Sequence, residues 1–548
     1  MTVSSANIDW NAASAHAVIA TLKANGVSRA VISPGSRSTP LVLAAAEHIE
    51  TTVVLDERVA GFHALGLARR YGGCALICTS GTAGAHYYPA VIEASLSRTP
   101  LFILTADRPP ELQDCGAPQT VRQAGMFGSH VRYAVTLPTP SGSAQVDSAV
   151  KLTSRALVEA FGSPKGPVHL NAPFRKPLWN MAPETYAPVS IPVVSPPTRQ
   201  GGGLDEITDA FRNASQPIIY VGPHAPAGAL RAARDCGQGL AIPVLTELSP
   251  PDHNIAHLDL LLRSHGLRST LSPDLIVQVG HGPIGRGVLD WMASYEGMHI
   301  CLDPDGWQHS ATHSATHVWA GDVVSALGTL ATSRPCLSRE WLTAWTQASA
   351  VAAAALEGLP DTFDERVIAT LTSALRSHLH VASSMPIRDV AAFGRPVCPT
   401  YSRGTNGIDG TIATALGLGS TTALLGDLAL RHDISGLMTA SELGASIDVV
   451  CADNSGGGIF HLLPIAQHAE VFERYFATPQ RVDLSRMASA AGAEVVVVES
   501  PAALRTTLQS EPNGIRVVIA NVDRQASVAS RKAATDHVVS AVDREVMR

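Results

Sequence analysis

Short apolar-rich runs alternate with longer stretches of helical spacing along most of the chain. The runs at residues 30–33, 101–106, 422–425 and 447–452 are typical of strands buried on both faces of a parallel sheet. Stretches between such runs, including residues 434–443, have the spacing of helices. This alternation predicts an α/β fold with three doubly wound parallel-sheet domains.

Turn-forming residues mark the predicted domain boundaries. Residues 176–203 are rich in proline and close with three glycines, which is typical of a linker. A Gly-Leu-Pro-Asp break follows a helical stretch that ends near residue 356. The predicted organisation is therefore a domain at residues 1–180, a linker at 181–203, a central domain at 204–360 and a third domain at 361–548.

The composition excludes several classes of function. The net charge of −7 provides no electrostatic footprint for nucleic acid. There is no run of about 18 apolar residues to span a membrane, and the N-terminus lacks the basic and apolar segments of an export signal. The eight cysteines are typical of reduced, mostly buried thiols. We therefore expect a cytoplasmic enzyme with no nucleic-acid partner and no stable membrane insertion.

Candidate chemistry concentrates where two predicted neighbouring strands end. Gly426 and Asp427 follow one strand, and Asn454 with a run of three glycines follows the next. A parallel strand–helix–strand unit brings both strand ends to one edge of the sheet. Carboxylate and amide oxygens beside a glycine-rich turn suit Mg²⁺ bound together with a diphosphate. The alternative is an ordinary strand end followed by a polar loop.

Charged residues also follow predicted strands in the first domain. Residues 53–58 are predicted as a strand that ends in Asp56, Glu57 and Arg58, followed by a helix at 59–69. Such charges lie in the ligand crevice of an α/β sheet. The turn at residues 34–40 adds Arg37, whose guanidinium is a fork of donors for an anion. The alternatives are a surface pair of Glu57 with Arg58 and a surface arginine in a loop.

Two other patterns are interpreted as structural. Cys74 and Cys78 are separated by three residues, but no second pair completes a zinc site. His309, His313 and His317 recur every fourth residue, but the Ser- and Thr-rich repeat around them favours a polar loop over a helix with metal ligands.

Several short segments form a specific set: residues 33–40, 56–58, 79–83, 106–110, 116–119, 403–404, 407–410, 426–428 and 456–460. Together they resemble one family of thiamine-diphosphate (ThDP) enzymes, the 2-succinyl-5-enolpyruvyl-6-hydroxy-3-cyclohexene-1-carboxylate (SEPHCHC) synthases. The resemblance covers nearly the whole chain. Its Ser-Pro-Gly-Ser-Arg and Asp-Arg-Pro-Pro segments are absent from general ThDP decarboxylases.

The resemblance implies ThDP and Mg²⁺ or Mn²⁺ as cofactors of a transferase (carboligase) in menaquinone or phylloquinone biosynthesis. In the implied reaction 2-oxoglutarate loses CO₂, and the remaining four-carbon carbanion equivalent adds to isochorismate by conjugate addition. The resemblance also implies a homodimer or dimer of dimers with active sites at subunit interfaces. Glu57 would then promote the imino tautomer of the cofactor in the neighbouring subunit.

The functional residues of the family carry over onto matching positions. The implied metal ligands are Asp427, Asn454 and the carbonyl of Gly456, and Ile408 would support the bent shape of ThDP. The implied catalytic residues are Glu57, Arg37 and Arg403. The implied cofactor-binding residues are Glu57, Ser384, Gly407, Ile408, Asp409, Gly410, Gly426, Asp427, Leu428, Asn454, Gly457, Ile459 and Phe460. The implied substrate-binding residues are Ser36, Arg37, Arg108, Gln119, Arg286, Ser384, Arg388, Arg403, Ile459, Phe460 and Leu463.

The arginines agree with the implied substrates. 2-Oxoglutarate and isochorismate each carry two carboxylates, and burying an unpaired carboxylate is costly. Four of the implied arginines, at positions 37, 108, 388 and 403, follow predicted strands or lie in turns. The departures from the family pattern are Ser402 and Asp453 in place of asparagines, Arg286 in place of a substrate-facing lysine, and Gly287 where some members have a second cation.

Two other functions remain open from the residues alone. An acetolactate-synthase-like carboligase would be expected to bind FAD and to have fewer arginines in its pocket. A non-catalytic ThDP-binding or regulatory protein would have no use for the activating carboxylate of Glu57.

Overall fold

The computed structural model describes residues 8–180, 191–195, 201–250, 253–308, 311–333, 339–360, 362–376, 378–396 and 399–546. Packing divides the chain into two compact units. The first contains residues 1–197, 404–420 and 432–445, and the second contains residues 198–403, 421–431 and 446–548. Much of the predicted linker at 181–203 lies outside the described residues, and the predicted domain boundaries stay a prediction. Within the described ranges, no helix combines the length and the apolar character needed to cross a membrane.

The first unit contains a six-stranded parallel sheet. Its strands are β1 (Arg29–Ile32), β2 (Glu50–Val53), β3 (Cys74–Cys78), β4 (Leu101–Asp107), β5 (Tyr133–Thr136) and β6 (Val168–Pro173), in the order β2-β1-β3-β4-β6-β5. Its helices are α1 (Trp10–Ala24), α2 (Thr39–His48), α3 (Glu57–Tyr71), α4 (Ala83–His86), α5 (Tyr88–Leu96) and α6 (Ser143–Phe161). Alternate residues of β3 face two different cores: Ile77 packs with α1, α2 and α6, whereas Leu76 packs with α3 and α5. Both faces of the sheet are therefore covered, which explains the continuous apolar runs.

The boundary between β2 and α3 differs from the sequence prediction. The strand ends at Val53, and Glu57 is the first residue of a helix rather than the end of a strand. The carboxylate of Asp56 accepts a hydrogen bond from the backbone N–H of Arg58 (3.0 Å) and caps this helix. The prediction of a strand over residues 53–58 was therefore wrong, because an N-cap aspartate started the helix.

The second unit contains a five-stranded parallel sheet in the central part of the chain. Its strands are β7 (Pro217–Val221), β8 (Val244–Leu245), β9 (Leu275–Val279), β10 (Met298–Asp303) and β11 (His317–Ala320), in the order β11-β10-β9-β7-β8. The helices of this region are α7 (Leu204–Asn213), α8 (Ala229–Leu240), α9 (Leu258–Leu261), α10 (His265–Thr270), α11 (Arg286–Ala293), α12 (Val323–Ala331) and α13 (Arg339–Glu357). His313 lies in a loop and His317 begins β11, while His309 lies outside the described residues.

A six-stranded parallel sheet follows in the last third of the chain. Its strands are β12 (Leu379–Val381), β13 (Thr400–Tyr401), β14 (Thr422–Gly426), β15 (Ile447–Asp453), β16 (Glu494–Val498) and β17 (Ile515–Asn521), in the order β13-β12-β14-β15-β17-β16. The helices are α14 (Glu365–Leu375), α15 (Met385–Phe393), α16 (Thr411–Leu418), α17 (Asp427–His432), α18 (Ile434–Glu442), α19 (Ala469–Phe472), α20 (Leu484–Ala490), α21 (Pro501–Gln509) and α22 (Arg524–Val546). The helices α16 and α18 belong to the first unit and the strands to the second. The three parallel sheets confirm the predicted α/β class.

Candidate active site

Asp427 and Asn454 follow two neighbouring strands at the carboxyl edge of the third sheet. β14 and β15 are paired in parallel with Gly426 opposite Ala452, so both residues lie at the same edge. Both side chains are buried, with exposed fractions of 5% and 6%. The backbone N–H of Gly456 donates a hydrogen bond to the Asp427 carboxylate. We call the site formed by residues 427, 454 and 456 the 427/454 corner.

The turn after Asn454 requires glycine. Gly456 has a φ of 134°, and a Cβ there would lie 2.2 Å from the carbonyl oxygen of Ala477. The N–H of Gly457 donates to the same oxygen (2.7 Å). A side chain at position 456 would therefore push the turn away from Ala477 and move its N–H away from Asp427.

The electrostatics of the 427/454 corner favour a bound cation. Burial, followed by the charge of Asp453, raises the pKa of Asp427 to about 7. The backbone N–H groups of Leu428 and Gly456 lower this pKa and offset only part of the rise. The Oδ1 atom of Asn454 is buried and has no hydrogen-bond partner within the described ranges. A carboxylate, an amide oxygen and a backbone carbonyl are hard ligands that Mg²⁺ and Mn²⁺ prefer. The residues present therefore fit the implied metal.

A buried carboxylate that the sequence analysis missed lies at the carboxyl edge of the central sheet. Glu247 is 3% exposed and accepts hydrogen bonds from the Tyr220 hydroxyl (2.7 Å) and from the backbone N–H groups of Ile284 (2.7 Å) and Gly285 (2.5 Å). Burial raises the pKa of Glu247 to about 7, although these three hydrogen bonds oppose the shift. A signal was present in the sequence, because Glu247 is a charged residue shortly after the apolar run at residues 242–245.

Two half-buried arginines, Arg388 and Arg403, lie within the electrostatic reach of Glu247. Burial lowers the pKa of Arg388 and of Arg403, and the Glu247 charge opposes the shift in both. Arg388 donates from Nη1 to the carbonyl oxygen of Ser384 (2.6 Å), a residue with a φ of 73°. In the described part of the chain neither arginine has a salt bridge, and Glu247 already accepts three hydrogen bonds. Their remaining donors are therefore free for an anionic ligand.

Two further arginines lie together in the first unit. Arg37 is 6% exposed and donates from Nη1 to the carbonyl oxygen of Phe174 (2.8 Å). Burial and then the charge of Arg108 lower the pKa of Arg37. Arg108 donates to the hydroxyl of Ser80, whose carbonyl oxygen accepts a hydrogen bond from Nε2 of Gln119 (2.9 Å). This unit thus brings Arg37, Arg108 and Gln119 together at the edge where β1, β3 and β4 end.

The turn at residues 407–410 packs against the helix that begins with Glu57. A Cβ at Gly410, which has a φ of 63°, would lie 1.9 Å from Cγ of Phe62 on α3. Asp433 accepts hydrogen bonds from the N–H groups of Ile412 (2.6 Å) and Ala413 (3.2 Å) and thereby caps α16. Glu57 itself is partly buried. The first unit therefore holds both the implied activating carboxylate and the implied diphosphate-side turn.

The remaining implied positions are partly exposed or already paired. Arg286 begins α11, pairs with Asp290 (2.8 Å) and has a side chain that is 72% exposed. The ring of Phe460 contacts that of Phe476, with centroids 5.9 Å apart. The other positions lie as follows: Ser36 before α2, Ile408 and Asp409 in the turn before α16, Leu428 in α17, Ile459 in a 3₁₀ turn, and Leu463 directly after that turn. Their contacts with cofactor or substrate stay predictions.

Two family models match this chain. Residues 13–126 match the thiamine pyrophosphate enzyme, N-terminal TPP binding domain, and residues 393–520 match the thiamine pyrophosphate enzyme, C-terminal TPP binding domain. The first match contains Glu57, and the second contains Asp427, Asn454 and Gly456. The fold and the site therefore define a thiamine-diphosphate-dependent enzyme.

Curated relatives narrow the assignment within this class. A 2-succinyl-5-enolpyruvyl-6-hydroxy-3-cyclohexene-1-carboxylate synthase of Myxococcus xanthus is 37% identical over 95% of this chain and 95% of its own length. The enzymes of the same name from Trichormus variabilis and Chloroflexus aurantiacus are each 35% identical, over 93% and 94% of this chain and 95% and 94% of their own lengths. The chain belongs to the SEPHCHC synthase family, which confirms the resemblance, and it is a transferase that depends on thiamine diphosphate.

Proposed function

We propose that the chain catalyses the reaction for which its relatives are named. It removes CO₂ from 2-oxoglutarate and joins the remaining four-carbon unit to isochorismate by conjugate addition, as a step of menaquinone or phylloquinone biosynthesis. The structural observation that carries this proposal is the pair of half-buried arginines, Arg388 and Arg403, which have no salt bridge in the described part of the chain.

The two arginines suit a substrate that brings carboxylates. A buried cation is costly unless a partner compensates for the lost hydration, and a carboxylate can accept two parallel hydrogen bonds from one guanidinium. Glu247 supplies at most part of this compensation, because hydrogen bonds from Tyr220 and from two backbone N–H groups already use three of its four acceptor sites. 2-Oxoglutarate and isochorismate each carry two carboxylates, so either substrate would supply the missing partners.

The cofactor assignment follows from the 427/454 corner. Mg²⁺ or Mn²⁺ would be held by the Asp427 carboxylate, Asn454 Oδ1 and the Gly456 carbonyl, together with the diphosphate. Thiamine diphosphate, when bound, supplies a nucleophilic carbon and an electron sink for the decarboxylation. Glu57 holds and moves the proton at the aminopyrimidine ring, and residues 407–410 hold the diphosphate side of the cofactor. Arg37 and Arg403 orient the oxoacid.

Two copies of the chain would form the active sites. In the proposed homodimer, or dimer of dimers, Glu57 of one copy serves the 427/454 corner of its partner. We propose that the enzyme works in the cytoplasm, where its substrates are small soluble anions.

Product analysis distinguishes this proposal from an acetolactate-synthase-like activity. The protein is supplied with ThDP and Mg²⁺ and then with either 2-oxoglutarate plus isochorismate or pyruvate alone. We expect CO₂ from 2-oxoglutarate and a product with the mass of both substrates minus CO₂. Acetolactate from pyruvate, without turnover of 2-oxoglutarate, would contradict the proposal.

Two single-arginine variants, one in the proposed substrate site and one on the surface, test the role of Arg403. Arg403→Ala should lower kcat/KM for 2-oxoglutarate by about a hundredfold, because a charged partner of the substrate is lost. Arg486→Ala is the matched control, since its side chain is 90% exposed, and it should leave kcat/KM unchanged.

A further inference from the structure

Glu365, the first residue of α14, holds the amide group of Asn454. The Nδ2 atom of Asn454 donates a hydrogen bond to Oε1 of Glu365. On the other side of the same amide, Oδ1 is buried and lacks a partner among the residues that the structure describes. The donor half of this asparagine is therefore occupied, and its acceptor half is available at the 427/454 corner.

The chemistry of a carboxylate fixes the direction in which this amide points. An ionised carboxylate accepts hydrogen bonds but has no hydrogen to donate. If the Asn454 amide were flipped, its oxygen would face an oxygen of Glu365, with no hydrogen between them. Glu365 thus selects the orientation in which Oδ1 faces away from α14, which is the orientation a metal ligand needs.

The surroundings of Glu365 keep its carboxylate in place. Asp364 caps α14 by accepting a hydrogen bond from the backbone N–H of Val367 (2.9 Å). Arg531 of α22 forms an ion pair with Asp389 of α15. Burial lowers the pKa of Arg531 to about 10, and the Glu365 carboxylate is the largest of the charges that oppose this shift. The charge of Arg531, whose side chain is 17% exposed, therefore favours the ionised form of Glu365, against burial, which raises the pKa of this carboxyl group.

Gly458 shows how closely Asn454 and Glu365 pack together. A Cβ at position 458 would lie 2.4 Å from Nδ2 of Asn454 and 3.3 Å from Oε1 of Glu365. Only a residue without a side chain leaves room for the hydrogen bond between them. The third glycine after Asn454 therefore serves the Glu365–Asn454 contact, whereas the first, Gly456, serves the contact with Asp427.

We propose that Glu365 is a positioning residue for the metal site, which it serves by holding the Asn454 amide with Oδ1 toward the cation. Glu365 does not touch the metal in this arrangement. The inference rests on the proposed metal site and extends it by one carboxylate that no sequence motif indicates. It also assigns a role to the Arg531 region of α22, which stabilises that carboxylate.

Mn²⁺ binding in the absence of substrates tests this inference. The electron paramagnetic resonance signal of free Mn²⁺ gives its Kd in the ThDP-loaded protein. Glu365→Ala should weaken Mn²⁺ binding by about tenfold or more, the usual effect of losing a partner behind a metal ligand. Glu365→Gln should weaken it less, because its carbonyl oxygen can still accept from Asn454.

Two further variants make the result decisive. Asp322→Ala removes the cap of a different helix, α12, where Asp322 accepts a hydrogen bond from the backbone N–H of Val324 (3.0 Å), so it should lower the melting temperature and leave the Mn²⁺ affinity unchanged. Asn454→Ala removes the proposed ligand and should abolish tight binding. An unchanged Mn²⁺ Kd in Glu365→Ala, or an equal loss in Asp322→Ala, would overturn the role of Glu365 alone. Tight Mn²⁺ binding by Asn454→Ala would overturn the metal site and the role of Glu365 together.

Discussion

The carboxylate of Glu93 accepts hydrogen bonds from both the backbone N–H (2.6 Å) and the hydroxyl (2.9 Å) of Thr405. It also accepts from the N–H of Gly404 (3.0 Å) and from Nη2 of Arg69 (2.9 Å). Glu93 is 1% exposed, and a Cβ at Gly404 would lie 2.9 Å from its Oε2 atom. One buried carboxylate thereby fixes the backbone between Arg403 and the turn at residues 407–410.

Replacement of Glu93 by Ala should destabilise the protein strongly. The change leaves the guanidinium of Arg69 and two backbone N–H groups without this partner, which should cost about 3 kcal/mol of unfolding free energy. Urea denaturation measures the difference in unfolding free energy between the variant and the original protein. Glu159→Ala is the control, because Glu159 is 41% exposed and its contact with Arg155 is long, so the change should cost at most about 0.5 kcal/mol. Equal effects of the two substitutions would contradict the role given to Glu93.

A comparison of Gly410→Ala with Gly26→Ala should separate the effect of steric overlap on unfolding free energy from the effect of backbone strain. Gly410 and Gly26 both have positive φ values, 63° and 88°, but only at Gly410 would a Cβ meet a neighbour, the ring of Phe62. Gly26→Ala should therefore cost about 1 kcal/mol from backbone strain alone. Gly410→Ala should cost about 3 kcal/mol, since overpacking adds to the strain. Similar melting temperatures for the two variants would show that α3 and the 407–410 turn do not pack as described.

The buried imidazole of His63 should make stability depend on pH. Burial lowers the pKa of His63 to about 4, whereas an unfolded histidine titrates near its ordinary value of 6.5. The unfolded chain therefore binds more protons between these values, so the contribution of His63 is complete above pH 6.5 and is lost as the pH falls toward 4. Between pH 7 and pH 5 this group should remove about 2 kcal/mol of unfolding free energy.

His63→Gln measures that contribution. Between pH 7 and pH 5 the variant should lose less unfolding free energy than the original protein does. Both proteins keep the losses from His169 and His299, because burial also lowers the pKa values of these two residues to about 4. Parallel curves of unfolding free energy against pH would mean that His63 is accessible to solvent in the folded chain.

Removal of the Glu247 charge should strengthen the binding of 2-oxoglutarate. A fixed negative charge near Arg388 and Arg403 attracts them but repels an incoming dianion. Glu247→Gln should therefore lower the KM for 2-oxoglutarate by about tenfold, and more at alkaline than at acidic pH, because the pKa of Glu247 is raised to about 7 by burial.

Tyr220→Phe provides the control for this change. It removes the hydroxyl that donates to Glu247 but leaves the carboxylate charge in place, so KM should change little. A weaker effect of Glu247→Gln on a substrate with a single carboxylate would confirm that charge is the cause. An increase in KM for 2-oxoglutarate in Glu247→Gln would contradict the proposed repulsion.

The sequence predicted the sheets better than the contacts between helices and loops. Parallel strands buried on both faces leave continuous apolar runs, so β14 and β15, and hence the place of Asp427 and Asn454 at one sheet edge, followed from the pattern. The start of α3 was misplaced, because Asp56 can end a strand or cap a helix, and local sequence does not decide between them.

Three glutamates that accept hydrogen bonds from distant parts of the chain were missed for a common reason. Glu93, Glu247 and Glu365 have partners that are 312, 37 and 89 positions away in sequence. On a helix, a single carboxylate has no pattern that separates a buried role from a solvated one. After a strand of two residues, its position at the strand end is the only signal. Only the three-dimensional packing shows what each of them holds.

Subunit complementation tests most directly whether Glu57 and the 427/454 corner of one active site come from two different chains. Glu57→Gln and Asn454→Ala should each be inactive alone. In a mixed dimer one site would carry both defects and the other neither, so a random mixture should regain about a quarter of the original SEPHCHC synthase activity. No activity in a mixture that contains verified mixed dimers would contradict the proposed shared site, because each chain would then build its own defective one.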